Sequence, residues 1–218
     1  MRLNDRQIEI IKLINRFGYV NESAMCVYLN LTEKTVAKIG ERLVKSGLIK
    51  KIKVLSYMSQ FWLLSEIGAC VVNGKVISQI TPSMILHNNY VHQLALKFLS
   101  DNQAIKLEKE LRHELGKHFT ASEIFLPDLI LNNSIAFEIE ISFKTAERIV
   151  KKISMYNFDS KITEVKWLSN NENILRRLQK IINNSKHKFY AFTDNILEYK
   201  EFINDKISNT SQQKGFIL

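Results

Sequence analysis

The stretch Pro127-Asp128-Leu-Ile-Leu-Asn-Asn-Ser-Ile-Ala-Phe-Glu138-Ile-Glu140 (PDLILNNSIAFEIE, residues 127–140) decides the fold of the C-terminal half. Carried on to Ser142, strand alternation puts Ile135, Phe137, Ile139 and Ile141 on one face and Glu138, Glu140 and Ser142 on the other. The first face reads as core. Two glutamates side by side on a half-buried strand repel one another and lose hydration, so something must compensate them. A divalent cation is the most economical compensation. The plain alternative is an edge strand whose glutamates face solvent and pair with lysines. Asp128 precedes Glu138 by ten residues, at the end of the apolar run EIFLPD, where a strand carries it to the same edge. Pro127 removes one ladder bond and fixes the turn there.

Outward from this stretch, residues 83 to 100 (SMILHNNYVHQLALKFLS) carry apolar positions at helical spacing. IKLEKELR and EIFLPDLIL then read as strands, so that SIAFEIEIS is the third of three. A helix over Lys144 to Phe158, the strand ITEVKWLS, the helix ENILRRLQKII, the strand KFYAFT and a last helix over 195 to 207 complete the order. On the expected strand IKLEKELR, Glu108 and Glu110 share a face, with Glu114 in the following turn. Glu110 lies nearer the metal end and is the candidate for a further ligand. Lys144, Arg148 and Lys151/Lys152 recur at i, i+4 and i+7/i+8, placing them on one helix face able to hold a phosphate, or else on an ordinary solvated basic face. Tyr156 is read as packing rather than as a nucleophile. His87 and His92, five apart, do not share a face, and His113 and His118 are expected in a loop.

The N-terminal half has a different rhythm. Ile8, Ile11, Leu13/Ile14 and Phe17 define a helix that stops at Gly18. Asn21 caps a short helix over Ala24 to Leu29, and Thr32 caps TEKTVAKIGERLVKSG, with Gly47 as its C-cap. LIKKIKVLSYMSQFWLLS follows as a hairpin, and SEIGACVVNG as a closing helix. Three helices and a hairpin predict a winged helix-turn-helix. Thr32, Lys34, Thr35, Lys38 and Arg42 then belong to the recognition helix, and Lys50, Lys51 and Lys53 to the wing, where phosphates are met. A dimerisation or protein-docking module is the alternative use of that fold. Residues 1 to 60 hold 11 Lys/Arg against 5 Asp/Glu, which is +6 of the chain's formal +9, so the basic footprint sits here.

The motif Pro127-Asp128 followed by Glu138-x-Glu140, inside an αβββαβ order, resembles the PD-(D/E)xK nuclease superfamily. In that superfamily the motif spans the second and third strands. Glu140 stands where a lysine is usual; some members carry the lysine on the following helix, where Lys144, Arg148, Lys151 and Lys152 are available. Over most of the chain, the winged helix with Arg112-His113-Glu114-Leu115, Pro127-Asp128, Glu138-Ile-Glu140-Ile-Ser142, Lys144 and Arg148 through Tyr156 is similar to the MOB-C class of plasmid relaxases and the replication-relaxation proteins. The resemblance implies DNA nicking at a transfer or replication origin, dependent on Mg²⁺ or Mn²⁺. Asp128, Glu138 and Glu140 would be metal ligands, Glu110 an additional one, and Lys144 or Lys152 the charge stabiliser. Arg148 would contact DNA, and His92 would be the better placed histidine. Double-stranded DNA and other mobilization proteins are the implied partners, with a homodimer admitted.

The expected architecture is α+β: a winged helix-turn-helix over 1–75, a linker over 76–82, a restriction-endonuclease-like αβββαβ domain over 83–207 and a flexible tail over 208–218. Cys26 and Cys70 each lie in an apolar run and read as buried thiols of a reduced compartment. With a polar start and no long apolar run, a cytoplasmic location without membrane contact is expected. Seven glycines and no phosphate-binding loop argue against an NTPase. Two rivals share the same residues. One is a DNA-binding accessory or replication regulator that kept the nuclease fold and lost chemistry, favoured by the missing motif lysine. The other is a restriction-type or transposase-associated endonuclease.

Overall fold

The computed structural model describes residues 3–54, 60–77, 80–115, 125–185 and 190–195 of the 218. The expected helix at 195–207, the tail at 208–218 and His118 lie outside them, apart from residue 195. The described residues form a mixed α/β chain of eight helices and two sheets. Contacts gather it into two compact units, one ending at Ile85 and the other beginning at Leu86. No helix among the described residues is long and apolar enough to cross a membrane.

In the first unit, α1 (Asp5–Phe17) opens with reciprocal bonds between Asn4 and Gln7, which satisfy two otherwise orphaned amides. It buries Ile10, Ile11, Leu13, Ile14 and Phe17. A short strand, β1 (Tyr19–Asn21), leads into α2 (Glu22–Leu29), where the Asn21 side chain accepts from the Ala24 amide at 2.7 Å. Thr32 caps α3 (Glu33–Lys45) through the Thr35 amide, and Gly47 turns the chain out of the helix at φ +71°. β2 (Ile49–Ile52) and β3 (Phe61–Leu64) make the expected hairpin; β1 joins it on the far side of β3, giving an antiparallel sheet of order β1-β3-β2. The third strand was not anticipated. α4 (Glu66–Val71) follows, capped by Ser65.

Packing of this unit depends on one missing side chain. A Cβ added at Gly40, in the middle of α3, would lie 1.5 Å from the buried Trp62 ring, so the indole rests directly on bare helix backbone. Residues 76–82, expected as a linker, include Ile77 and Ile80, which pack against Tyr19, Phe61, Leu63 and Ile85. Tyr19 also donates its hydroxyl to the Met84 carbonyl at 2.8 Å. Cys26 is buried as expected. Cys70 is exposed, because α4 is a surface helix and turns that residue outward.

The second unit comprises α5 (Pro82–Ser100, from Leu86 onward), β4 (Ile105–Leu107), α6 (Glu108–Glu114), β5 (Leu129–Leu131), β6 (Ile135–Ile139), α7 (Ala146–Phe158), β7 (Glu164–Ser169), α8 (Glu172–Asn183) and β8 (Tyr190–Asn195). The sheet order is β4-β5-β6-β7-β8. The first three strands form an antiparallel meander, and β6, β7 and β8 run parallel with α7 and α8 as crossovers. One core gathers Ala136, Val165 and Trp167 from the sheet with Ile149, Ile153, Tyr156, Ile174 and Leu178 from α7 and α8. On the neighbouring strand positions, Phe137 meets Phe98 of α5 with ring centroids 5.1 Å apart.

Two expectations change here. IKLEKELR is a strand only to Leu107; from Glu108 it is helix, so His113 and Glu114 lie in α6 and not in a loop or turn. Glu, Lys, Leu and Arg are strong helix formers, and the Glu108–Arg112 pair at i, i+4 (2.5 Å) rewards the helical spacing over the alternation. β6 is not half-buried: Phe137, Glu138 and Ile139 are all at most 2% exposed, because it is the central strand and is covered on both faces.

Candidate active site

The ten-residue spacing from Asp128 to Glu138 is a hairpin. Asn132 and Asn133 both sit at positive φ, and the Ser134 amide donates to the Leu131 carbonyl at 3.1 Å, so the chain reverses tightly between β5 and β6. The register pairs Leu129 with Phe137, and one step further places Asp128 opposite Glu138. The Asp128 amide donates to the Phe137 carbonyl (3.1 Å), and its Oδ2 accepts from the Ile139 amide at 2.7 Å. Asp128 therefore precedes β5 and does not end a preceding strand, yet it reaches the expected edge.

Glu138 has no exposure and is closed by its own chain. Lys152 Nζ donates to Oε2 and the Tyr156 hydroxyl to Oε1, both from the buried face of α7. Burial pushes the Glu138 carboxyl up, to about 7; the Lys152 ammonium pulls it down and the facing Asp128 pushes it further up. For Lys152, burial acts downward, but Glu138, Asp128 and Glu140 outweigh it and hold the ammonium charged. Burial and Glu138 raise the Tyr156 phenol well above its ordinary value, so it stays a protonated donor; it also stacks edge-on against Trp167 at 6.2 Å.

On the other side of the cluster, His87 Nε2 lies 3.2 Å from Asp128 Oδ2. Burial pulls the imidazole down, but the carboxylate raises it to about 9, and its Nδ1 meets Asn88 Oδ1 at 3.1 Å. Asp128, pushed up by burial, is drawn below the usual carboxylate range by His87, Lys152 and the Ile139 amide. Glu140 differs from both. It is 4% exposed, its amide continues the ladder to the Leu168 carbonyl (2.8 Å), and its carboxylate makes no hydrogen bond or ion pair among the described residues. Burial raises it, with Lys152 and Lys144 pulling in the opposite direction.

Asp128, Glu138, Glu140 and Lys152 thus come together, and Lys144, ahead of α7, donates to Ser142 Oγ at 3.3 Å. Glu110 does not join them as drawn from strand geometry: it lies in the first turn of α6, where its carboxylate accepts from the Leu107 amide at 2.8 Å. The basic face of α7 divides, since Lys152 turns inward while Arg148 and Lys151 stay exposed around the Phe125 ring at 5.9 and 5.4 Å. His87, not the preferred His92, meets Asp128; a contact spanning 41 positions leaves no local signal. The Tyr156 role had one, because Lys152 and Tyr156 are i, i+4 and share a face.

In the first unit, Lys34, Thr35, Lys38 and Arg42 are exposed along α3, Thr32 is half-buried at its cap, and Lys50 and Lys53 are exposed at β2. Lys51 is engaged otherwise: it pairs with Glu22 at 3.2 Å and lies 4.7 Å from the centroid of a Trp62 ring.

Hard oxygen donors without competing partners suit Mg²⁺ or Mn²⁺. Glu140 meets that condition, and Asp128 directs only Oδ2 into the bonds described above. Glu138 has both oxygens engaged. Among the described residues no group of three or more His, Cys, Asp or Glu is arranged to hold a metal ion; the carboxylates of the cluster with an oxygen outside the bonds described above are Asp128 and Glu140.

No protein-family model matches the chain, and no curated protein matches it. Among solved structures, a transcriptional regulator, Tm0710 from Thermotoga maritima, aligns over 54% of this chain and 79% of its own at 17% identity, with a TM-score of 0.29.

Proposed function

We propose that the chain is a divalent-metal-dependent DNA-nicking enzyme of the relaxase-like endonuclease kind, acting at a plasmid or mobile-element transfer or replication origin. Its first unit reads duplex DNA as a winged helix, and its second is a PD-(D/E)xK-type core. The observation that carries the reading is the convergence of Asp128, Glu140 and the helix-borne Lys152 around Glu138. Lys152 stands in for the lysine absent from the strand.

Asp128 and Glu140 would hold the metal, which when bound supplies Lewis-acid polarisation of the phosphodiester and a more acidic water. The chain's own residues do the rest. Glu138, locked by Tyr156, fixes the Lys152 ammonium where it offsets charge at both Asp128 and Glu140, and would meet charge developing on a phosphate. His87 and the Ile139 amide hold Asp128 in one orientation. In the first unit, Lys34, Thr35 and Lys38 would face base edges, and Lys50 and Lys53 phosphates.

Incubation with supercoiled plasmid and Mn²⁺ should yield open circles, and Asp128→Ala or Glu140→Ala should abolish them. Linear product would indicate double-strand cleavage. A second reading, a DNA-binding accessory or replication regulator without chemistry, draws on the closed Glu138–Lys152–Tyr156 group, in which both Glu138 oxygens are bonded without a ligand. Unchanged plasmid beside a retained gel shift would establish that reading and end the first.

A further inference from the structure

Beyond the carboxylates, the second unit carries an aromatic and a cation for which the site chemistry above has no use, next to Lys144 at its edge. Phe143, in the segment between β6 and α7, is 55% exposed. The Arg177 guanidinium, from α8, lies 5.3 Å from its ring centroid and covers part of it. Arg177 is exposed and makes no ion pair among the described residues, whereas its neighbour Arg176 is paired to Glu172 at 3.0 Å. Lys144, next along from Phe143, likewise makes no ion pair. These side chains line one recess with Glu140, Ser142 and Ile181.

An exposed ring with one cation over it and a second, shared with Glu140, lining the same recess suits a ligand that is both planar and anionic. A nucleotide unit of a single strand has both properties: the base offers a π face and the adjoining phosphate a charge. Bases in a duplex are already stacked and cannot present that face. We propose that Phe143, Lys144 and Arg177 form a landing site for a single-stranded nucleic-acid segment. One base stacks on Phe143, with its phosphate between Lys144 and Arg177. The direction in which the strand leads, toward Glu140, rests on the nuclease reading; the binding itself does not.

The test is fluorescence anisotropy of the full chain in EDTA, with a labelled oligothymidylate of about 12 nucleotides and an abasic phosphodiester of equal length. Phe143→Leu, which keeps an apolar side chain but removes the ring, should weaken oligothymidylate binding about tenfold and leave the abasic strand unaffected. Phe143→Trp should restore binding. Arg177→Gln should weaken both ligands and lower the slope of log affinity against log salt by about 0.7. The sites are on the surface, so unchanged thermal melting confirms that each variant folds. Wild-type affinity for oligothymidylate in Phe143→Leu, equal losses on the two strands, or no binding by the wild type would each overturn the proposal. Because nothing is cleaved, this result and the plasmid assay stand or fall separately.

Discussion

Lys152→Met removes the ammonium bonded to Glu138, a carboxylate with no solvent exposure. Methionine is close in volume, so the loss is chiefly electrostatic. Breaking a buried pair from one side costs about 3–5 kcal/mol. The structure sets its own ceiling, because Glu138 has the option of taking up a proton. With Lys152 beside it the carboxyl already stands at about 7, against an ordinary value of 4.5. At about pH 7.5 the wild-type carboxyl is mostly ionised, and holding it neutral instead spans about half a pH unit, or about 0.7 kcal/mol. At about pH 5.5 it is protonated with or without Lys152, and this part of the loss disappears. The folded-state value lies above the unfolded one in both proteins, so both lose stability as pH rises; the variant, whose value is higher still, loses more.

Urea unfolding followed by Trp167, buried in this unit and stacked on Tyr156, reads the effect. With a slope of roughly 1–2 kcal/mol/M, the midpoint should fall by about 0.5 M at about pH 7.5 and change little at about pH 5.5. Adding Glu138→Gln should abolish the difference between the two pH values. An unchanged midpoint at the higher pH, or equal losses at both, would refute the reasoning that Glu138 is a desolvated acid held charged by Lys152.

Gly40→Ala should destabilise the first unit by about 3 kcal/mol or more, the upper end for overpacking, because the added methyl meets the Trp62 ring; thermal unfolding measures it. Thiol titration at about pH 8 should find Cys70 fast and Cys26 slow, since burial, with Glu33 and Glu22, pushes the Cys26 thiol up to about 11. Lys34→Ala with Lys38→Ala should lower the salt slope of duplex binding by about 1.8, while Lys51→Ala, already paired to Glu22, should change it little; gel shifts across salt concentrations decide.

The first unit was legible because its signals are local: Asn21 and Thr32 each cap the helix that follows, and Gly47 ends α3. β1 escaped notice because three residues between two helices carry no period. α6 was misread because Glu-Lys-Glu-Leu alternates like a strand, and only the helix-forming side chains distinguish it. The Asp128–Glu138 pairing was legible because spacing within one hairpin translates directly into register. His87 and the Phe143–Arg177 contact join distant elements, and no local pattern encodes such meetings.

Glu138 and Glu140 are two residues apart on one strand, yet the fold gives them opposite tasks. Glu138 lies within the paired length of β6, where α7 supplies Lys152 and Tyr156 to close it. Glu140 lies just past that length, beside Lys144 and the recess, where the chain supplies no bonded partner. With all three carboxylates ionised, Lys152 and a His87 that Asp128 holds protonated below about 9 leave one negative charge unmatched. Burial raises Glu138 to about 7 and raises Glu140 too, so that charge is present only toward higher pH. That charge belongs at Glu140, the one acid whose carboxylate is left unbonded. Glu138→Gln should therefore act through Lys152 and stability, whereas Glu140→Gln should leave the fold intact and remove whatever cation or reaction the cluster supports. Equal melting losses for the two variants would erase the distinction.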